Sequence, residues 1–281
     1  MIVGTGTLTV VPTPIGNLGD ITLRAVEVLR SASHIVAEDT RHSRKLLSHL
    51  ELDGTKLSRL DAHATSSDVE QVLRWLRDGE DVALITDAGT PAVSDPGTAM
   101  VRAAIDAGIE VSALPGPSAV TTAVAGSGLV EGPFRFVGFP PRVGLERAKF
   151  VGELASAPEP CVMFESPERI ALLLQELATA MGARRVVVGR ELSKLHEEWI
   201  RGTLSEVAAQ EREWMGEITV VIGAWEPGMG EGPDDEKIDA RIDEELAKGA
   251  HTRTLAEKIA AWSGRPKREI YERVVERKNR R

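Results

Sequence analysis

The sequence contains a single cysteine, Cys161, among its 281 residues. An intrachain disulfide and a cluster of thiolate metal ligands are therefore both excluded. No apolar run approaches the roughly 20 residues that a helix needs to span a bilayer. Residues 1–7 lack the basic start and the apolar core of a signal peptide. We therefore expect a cytoplasmic protein without a membrane segment.

Several common catalytic and binding motifs are also missing. The loops after the predicted strands contain neither G-x-G-x-x-G nor G-x-x-x-x-G-K-[ST], the glycine-rich patterns that bind dinucleotides and triphosphates. A Ser-His-Asp hydrolase of the α/β class would carry a G-x-S-x-G turn, which is absent. The six histidines are scattered without the spacing of metal ligands, so we expect no metal ion.

What the first 120 or so residues do contain is a repeated order of strand, loop and helix. Candidate strands are residues 8–11, 34–37, 82–86 and 111–114, with a weaker one at 56–60. Candidate helices are residues 21–30, 43–50, 68–77 and 98–107. Gly79 and Gly108 stand where C-terminal glycines would end two of these helices. Strands that alternate with helices form a parallel sheet, so residues 1–127 are predicted to be one doubly wound α/β domain.

A glycine-rich stretch at residues 126–128 marks the boundary to a second α/β domain, predicted to span residues 128–227. Its candidate strands are residues 134–137, 161–164, 186–188, 198–201 and 218–222. Its candidate helices are residues 145–155, 169–181 and 204–213. Three of the strands follow each other with only one helix between the last two, so the second sheet is predicted to be mixed.

A linker rich in glycine and proline precedes a helical extension, predicted to span residues 234–281. Its candidate helices are residues 235–248, 254–263 and 267–277. Residues 251–281 carry ten Lys and Arg against four Glu, in a protein whose formal net charge is −9. A basic helix after a short turn is similar to a helix-turn-helix. This charge asymmetry is typical of a protein that binds an anionic partner. The alternatives are a solvated helix face and a small bundle that caps the second domain.

Three unusual loops each follow a predicted parallel strand. They are the first loop (residues 12–18), the second loop (residues 87–97) and the third loop (residues 115–119). All three should lie at the carboxyl edge of the sheet, where open α/β folds bind ligands. They contain no lysine, so they lack a positive side chain that would bind a triphosphate. Backbone amides with Thr90 and Ser118 suit a neutral or cationic ligand with an adenosine end, such as S-adenosylmethionine.

A cluster of charged residues follows the second predicted strand, from Glu38 and Asp39 to Arg41, Arg44 and Lys45. Carboxylates at a strand end could supply a general base, and the arginines could hold an anion. The alternative is that Asp39 or Thr40 only caps the next helix.

At these loops the sequence closely resembles the ribosomal RNA small subunit methyltransferase I family. In the first domain the resemblance rests on Val11-Pro12-Thr13-Pro14-Ile15-Gly16-Asn17-Leu18, Ala37-Glu38-Asp39-Thr40-Arg41, Ser94-Asp95-Pro96-Gly97 and Pro115-Gly116-Pro117-Ser118-Ala119. In the second domain it rests on Phe164-Glu165-Ser166-Pro167, Gly189-Arg190-Glu191-Leu192-Ser193-Lys194 and Gly216-Glu217-Ile218. The resemblance covers nearly the whole chain. It departs at His63-Ala64-Thr65, where members often carry His-Asn-Glu, and at Glu168, where a basic residue or histidine is common.

The resemblance implies the two-domain tetrapyrrole-methylase fold with a C-terminal helical extension. It implies methylation of the ribose 2′-hydroxyl of cytidine 1402 in 16S ribosomal RNA of the 30S subunit, and a homodimer. The implied methyl donor is S-adenosylmethionine, bound in the cleft between the domains. The family's cofactor site corresponds here to Ile15, Gly16, Ala88, Gly89, Thr90, Val93, Ser118 and Ala119, with Glu165 and Glu191 or Leu192 from the second domain.

The hypothesis for the chemistry is that Glu38 or Asp39 takes the proton of the ribose hydroxyl, with Asp95 in reserve. The residues predicted to bind RNA are Arg41, Arg44, Lys267, Arg268 and Arg273. Two rival functions are methylation of a tetrapyrrole carbon on the same fold and RNA binding without turnover by a ribosome-assembly factor. Pro12-Thr13-Pro14-Ile15 in place of a glycine-rich first loop favours RNA over a tetrapyrrole.

Overall fold

A computed structural model describes residues 4–52, 56–61, 64–94, 97–225, 235–263, 265 and 267–280. The chain forms two compact units. The first unit comprises Met1–Thr122 together with Glu191–Glu197, and the second comprises Ala123–Arg190 together with Glu198–Arg281. A short segment from the later part of the chain therefore belongs to the first unit. Within the described residues, no helix is both long enough and apolar enough to cross a bilayer.

The first unit contains a five-stranded parallel sheet, as predicted. Its strands are β1 (Leu8–Val10), β2 (His34–Ala37), β3 (Leu57–Arg59), β4 (Val82–Ile85) and β5 (Val111–Ala113), in the spatial order β3-β2-β4-β1-β5. Successive residues of a strand point to opposite faces. Val36 and Leu84 accordingly join one buried cluster, and Ile35 and Ile85 join the other. Both faces of the sheet are therefore covered, which confirms a doubly wound domain.

The helices α1 (Leu23–Ser31), α2 (Thr40–His49), α3 (Ser66–Arg77) and α4 (Thr98–Asp106) pack against this sheet. The next helix, α5 (Ala119–Ser127), crosses the boundary between the units after Thr122, and a 3-10 turn spans Leu18–Asp20. Gly79 and Gly108 follow α3 and α4 with φ of 84° and 70°, as predicted for glycines that end helices. Helix α5 was not predicted, because its small residues give no alternation of apolar and polar faces.

The second unit contains a mixed five-stranded sheet, also as predicted. Its strands are β6 (Arg135–Phe136), β7 (Cys161–Glu165), β8 (Arg185–Arg190), β9 (Glu198–Thr203) and β10 (Ile218–Ile222), in the order β6-β7-β10-β8-β9. Only β6 and β7 pair in parallel. The helices are α6 (Gly144–Ser156), α7 (Pro167–Met181) and α8 (Leu204–Ala208).

The prediction of a helix at residues 204–213 was too long. After the capping residue Ala209 the chain leaves the helix, and the Arg212 guanidinium donates to both carboxylate oxygens of Glu198 on β9, at 2.6 and 2.7 Å. The chain turns toward β9 instead of continuing the helix, and Arg212 gains a charge-assisted pair there.

The buried guanidinium of Arg184 contacts three separate segments of the second unit. Its guanidinium donates to the carbonyl oxygens of Gly223 at 2.8 Å, Leu154 at 3.0 Å and Glu159 at 3.1 Å. Burial lowers the pKa of Arg184, but an arginine stays charged over the usual range of pH. Arg184 thus binds carbonyl groups at the ends of α6 and β10, where fewer main-chain partners are available than inside a helix or sheet.

The C-terminal extension consists of α9 (Asp235–Ala247), α10 (Thr252–Ser263) and α11 (Lys267–Asn279) around a small apolar core. Asp235, Asp239 and Asp243 are spaced four residues apart, so they share one face of α9. Arg273 of α11 pairs with Asp235 at 2.9 Å and also with Asp239. Arg277 pairs with Asp239 at 2.7 Å and also with Asp243. Part of the positive charge of the extension is therefore neutralised within it.

Candidate functional site

The first and second loops are joined by main-chain hydrogen bonds at the carboxyl edge of the parallel sheet. The Thr13 amide donates to the Gly89 carbonyl at 2.9 Å, and the Gly89 amide donates back to the Thr13 carbonyl at 3.0 Å. The buried Thr13 hydroxyl also donates to the Thr86 carbonyl at 3.0 Å. Gly89 has a φ of 82°, a conformation that glycine adopts without strain.

The third loop lies against the other two. The Thr90 hydroxyl donates to the Pro117 carbonyl at 3.1 Å. Gly116 lies so close to Pro12 that a Cβ atom at position 116 would stand 2.6 Å from the proline Cβ. The three loops predicted from the sequence therefore form one connected surface. It is built mainly from main chain and small side chains, as a ligand that needs close approach requires.

The second loop carries strained backbone on both sides of a predicted cofactor residue. Ala92 and Ser94 have φ of 68° and 62°, in the left-handed region that side chains other than glycine rarely adopt. Val93 between them is 38% exposed, although it is apolar. Such strain clusters at functional sites, and here it fixes the direction of an exposed valine.

Carboxylates from β2 and β4 meet at the same edge. The Thr86 hydroxyl donates to the Glu38 carboxylate at 3.3 Å, and the Asp39 amide donates to the Asp87 carboxylate at 3.2 Å. Glu38 and Asp87 are both partly exposed. The structure therefore brings Glu38 to the end of the sheet where the three loops lie, as the order of strands predicts.

The Asp39 carboxylate is engaged in holding the start of α2. It accepts from the Arg41 amide at 2.8 Å as the helix N-cap, and from the Arg41 guanidinium at 2.8 Å. The side-chain hydrogen bond from Arg41 holds the pKa of the Asp39 carboxyl well below its usual range. A carboxylate with so low a pKa accepts a proton poorly. The capping alternative, rather than a catalytic role, fits these contacts.

The segment Glu191–Glu197, here called the inserted segment, supplies further residues to the first unit. Its Leu192 is buried, and its Glu191 and Ser193 have positive φ of 52° and 69°. The Ser193 hydroxyl donates to the Asp20 carboxylate, just after the first loop. The alkyl chain of Lys194 lies directly on Gly16, where it occupies the place that a Cβ atom would take. Glu191 and Leu192 were predicted to contact the cofactor from the second domain, whereas the structure places them in the first unit, and their contact with a cofactor stays a prediction.

Lys194 is absent from the predicted cofactor residues, although with Glu191 it follows a predicted strand in a placement similar to that of the charged cluster after β2. It lies more than 70 residues beyond the third loop, and the three loops themselves contain no lysine. The available signal was its place in the Gly189–Lys194 motif that carries the family resemblance.

Glu165 lies at the end of β7 in the second unit, with its side chain fully buried. It pairs with Arg169, accepts from the Ser166 amide at 2.8 Å and lies 3.9 Å from the Arg147 guanidinium. Two arginines already compensate this carboxylate, so its contact with a cofactor stays a prediction. The reserve base Asp95 and the motif residue His63 lie outside the described residues.

The residues of α11 that were predicted to bind RNA differ in their surroundings. Lys267 pairs with Glu257 at 2.5 Å and Arg268 with Glu272 at 3.1 Å, and the Arg268 side chain is 92% exposed. Arg273 is only 22% exposed and holds two aspartates of α9. The two residues at the start of α11 therefore present their charge to solvent, whereas Arg273 is part of the packing.

Comparison with known proteins gives three consistent likenesses. A family model described as Tetrapyrrole (Corrin/Porphyrin) Methylases matches residues 7–208. The chain is 42% identical to the ribosomal RNA small subunit methyltransferase I of Micromonospora olivasterospora, over 96% of this chain and 87% of that protein. It is 37% identical to the protein of the same name from Bacillus subtilis, over 95% of this chain and 93% of that protein.

A solved structure shares the fold. The uroporphyrin-III C-methyl transferase of Thermus thermophilus, complexed with S-adenyl homocysteine, superimposes with a TM-score of 0.55. The superposition covers 78% of this chain and 97% of that chain, at 19% sequence identity. At this identity the likeness concerns the architecture and not the substrate.

Proposed function

Because this chain belongs to the tetrapyrrole methylases and, within them, to the ribosomal RNA small subunit methyltransferase I family, we infer that it methylates ribosomal RNA of the small subunit. The methyl donor is S-adenosylmethionine. The observation that carries this inference is the connected surface of three loops at the carboxyl edge of the first sheet, together with near full-length identity to proteins of that name.

The loops fit the chemistry of this donor. The described residues of the three loops carry no lysine or arginine that would hold a triphosphate, and they offer main-chain groups and hydroxyls to an adenosine. We propose that the donor is held in the first unit by the following residues: Ile15, Gly16, Ala88, Gly89, Thr90, Val93, Ser118, Ala119, Glu191 and Leu192. When bound, it supplies an electrophilic methyl group on a sulfonium.

We propose Glu38 as the general base of the transfer. Its carboxylate stands at the loop surface and accepts from Thr86, whereas Asp39 is held by Arg41. As the hydroxyl oxygen forms its bond to the methyl carbon, Glu38 takes the hydroxyl proton, and the electron pair of the broken carbon–sulfur bond stays on the sulfur. The protein must also align the oxygen behind the methyl group, because displacement is in line. We propose that Arg41 and Arg44, both exposed on α2, hold an RNA phosphate during this alignment.

The finer identity of the substrate is part of the same proposal. We propose the ribose 2′-hydroxyl of cytidine 1402 in 16S ribosomal RNA, presented by the 30S subunit in the cytoplasm, and a homodimeric enzyme. Family membership supports this choice over a tetrapyrrole carbon, and the carboxylate at the loop surface supports turnover over simple RNA binding.

Transfer of a tritiated methyl group from S-adenosylmethionine to 30S subunits tests the function. Subunits from a strain that lacks the modification should accept about one methyl group each, at the 2′-oxygen of cytidine 1402. Fully modified subunits serve as the matched control and should accept none. Methylation of a tetrapyrrole but not of the 30S subunit would contradict the proposal, as would RNA binding without any transfer.

The start of α11 should contribute to RNA affinity through its charge. In a Lys267→Gln/Arg268→Gln variant, we expect weaker binding of 30S subunits and a slope of log affinity against log salt that is smaller by about 1–2, since each phosphate contact contributes roughly 0.7–0.9. Filter binding at several salt concentrations measures both quantities.

Arg273→Gln provides the contrast within the same helix. This variant removes one of two arginine partners from each of two aspartates of α9, since Asp235 also pairs with Arg265 and Asp239 with Arg277. It should therefore lower the melting temperature while changing the salt slope little. If the double variant kept the affinity and slope of the wild type, α11 would have a packing role only.

A further inference from the structure

The inserted segment is a preorganised turn. The Ser193 amide donates to the Glu197 carboxylate at 2.6 Å, and the Lys194 and Glu197 amides close turns onto the carbonyls of Glu191 and Lys194, at 3.0 and 3.1 Å. Two of its residues hold a left-handed backbone conformation. A strained conformation of this kind persists only where the surroundings impose it. The turn within the inserted segment and the contact with Gly16 together fix the position of Lys194.

Lys194 brings positive charge to loops that otherwise have none. The described residues of the first, second and third loops include no lysine or arginine. The Lys194 ammonium donates to the Glu191 carboxylate at 2.8 Å, while its alkyl chain crosses Gly16, a predicted cofactor residue. The Lys194 and Glu191 side chains are 26% and 19% exposed, so solvent and a ligand can both reach the pair.

We propose that Lys194 is the anion-binding residue of the site. Its ammonium exchanges Glu191 for an anionic oxygen of a ligand, which is either the carboxylate at the methionine end of S-adenosylmethionine or a phosphodiester of the RNA next to the target ribose. This inference rests on the proposed function and adds a residue to it. Both side chains are partly exposed, so water can hydrate the Glu191 carboxylate that the exchange releases. A charge-assisted hydrogen bond to a bound anion is among the stronger polar contacts.

Lys194→Met separates the charge from the packing. Methionine keeps an unbranched chain that can lie on Gly16, and it removes only the ammonium. Lys194→Arg keeps the charge and serves as the rescue variant. Lys149→Met is the matched control, because Lys149 also pairs with a glutamate, Glu153 at 3.7 Å, and lies on α6 with its side chain 78% exposed.

Three affinities show which anion Lys194 binds. They are the affinities for S-adenosylhomocysteine, for 5′-methylthioadenosine and for 30S subunits, and 5′-methylthioadenosine lacks the carboxylate. If the anion is the cofactor carboxylate, Lys194→Met weakens S-adenosylhomocysteine binding about 10–100-fold and leaves 5′-methylthioadenosine unchanged. If it is an RNA phosphate, both small ligands are unchanged, whereas 30S affinity falls and its salt slope decreases by about 1. Lys194→Arg should restore the lost affinity in either case.

The inference is overturned if all three affinities stay at the level of the Lys149→Met control. It is also overturned if both small ligands weaken equally and Lys194→Arg restores neither, because the lysine then has only a packing role. Failure of the proposed function looks different. In that case the wild-type protein itself neither binds S-adenosylhomocysteine nor transfers a methyl group.

Discussion

Glu38→Gln is expected to lower the kcat of methyl transfer to 30S subunits by about 10²–10⁴-fold, the usual contribution of a general base. Glutamine keeps the shape of the side chain and an oxygen that can accept from the Thr86 hydroxyl, but it cannot take a proton from the ribose. The affinity for S-adenosylhomocysteine should therefore stay close to that of the wild type. Single-turnover transfer of a tritiated methyl group, with calorimetry for the affinity, measures the two effects separately.

Asp39→Asn is the matched control for Glu38→Gln. The Asp39 carboxylate caps α2 and pairs with Arg41, so its loss should lower the melting temperature while reducing kcat far less. An Asp39→Asn variant that loses as much kcat as Glu38→Gln would transfer the role of base to Asp39. A Glu38→Gln variant with full activity would exclude Glu38.

Gly116→Ala should weaken S-adenosylhomocysteine binding about 10–100-fold. The added Cβ would stand 2.6 Å from Cβ and 2.9 Å from Cγ of Pro12, and a proline ring cannot rotate away as a flexible side chain can. The first and third loops must then separate, and overpacking of this kind costs roughly 1–3 kcal/mol. Calorimetry with S-adenosylhomocysteine measures the loss.

Gly152→Ala is the control for the added methyl group. Gly152 lies inside α6 with open space where a Cβ would stand. Alanine there should leave ligand affinity unchanged and stabilise the helix by about 0.5–1 kcal/mol. If Gly116→Ala bound the ligand as tightly as Gly152→Ala, the close contact between the first and third loops would not matter for binding.

Strand positions could be predicted from the sequence because each strand is a short apolar run between turn residues. Residues 34–37 and 218–222 were predicted with the bounds that β2 and β10 have. The parallel first sheet follows from the alternation of strands and helices, and the placement of the three loops follows from the parallel sheet. The three loops could therefore be predicted from local sequence patterns.

Features that depend on distant partners were not predictable in the same way. The inserted segment is adjacent in sequence to strands of the second unit, yet it belongs to the first, and no local pattern encodes that choice. The charge of the extension is a similar case. Residues 251–281 are basic, but the aspartates of α9 that neutralise Arg273 and Arg277 lie outside that window. Their spacing of four residues was the signal that could have indicated the pairing.

The inserted segment also bears on the order in which the chain is made. A protein is synthesised from its N-terminus, and its structural units tend to fold as they leave the ribosome. The five strands of the first sheet are complete once Ala113 has emerged, but Lys194 follows only after α6, α7 and β8 have been synthesised. Until then Gly16 lacks the side chain that lies on it in the complete protein. The contact between Lys194 and Gly16 therefore requires synthesis of β6, β7 and β8. A chain broken off after Thr122 would lack the lysine that covers its own first loop.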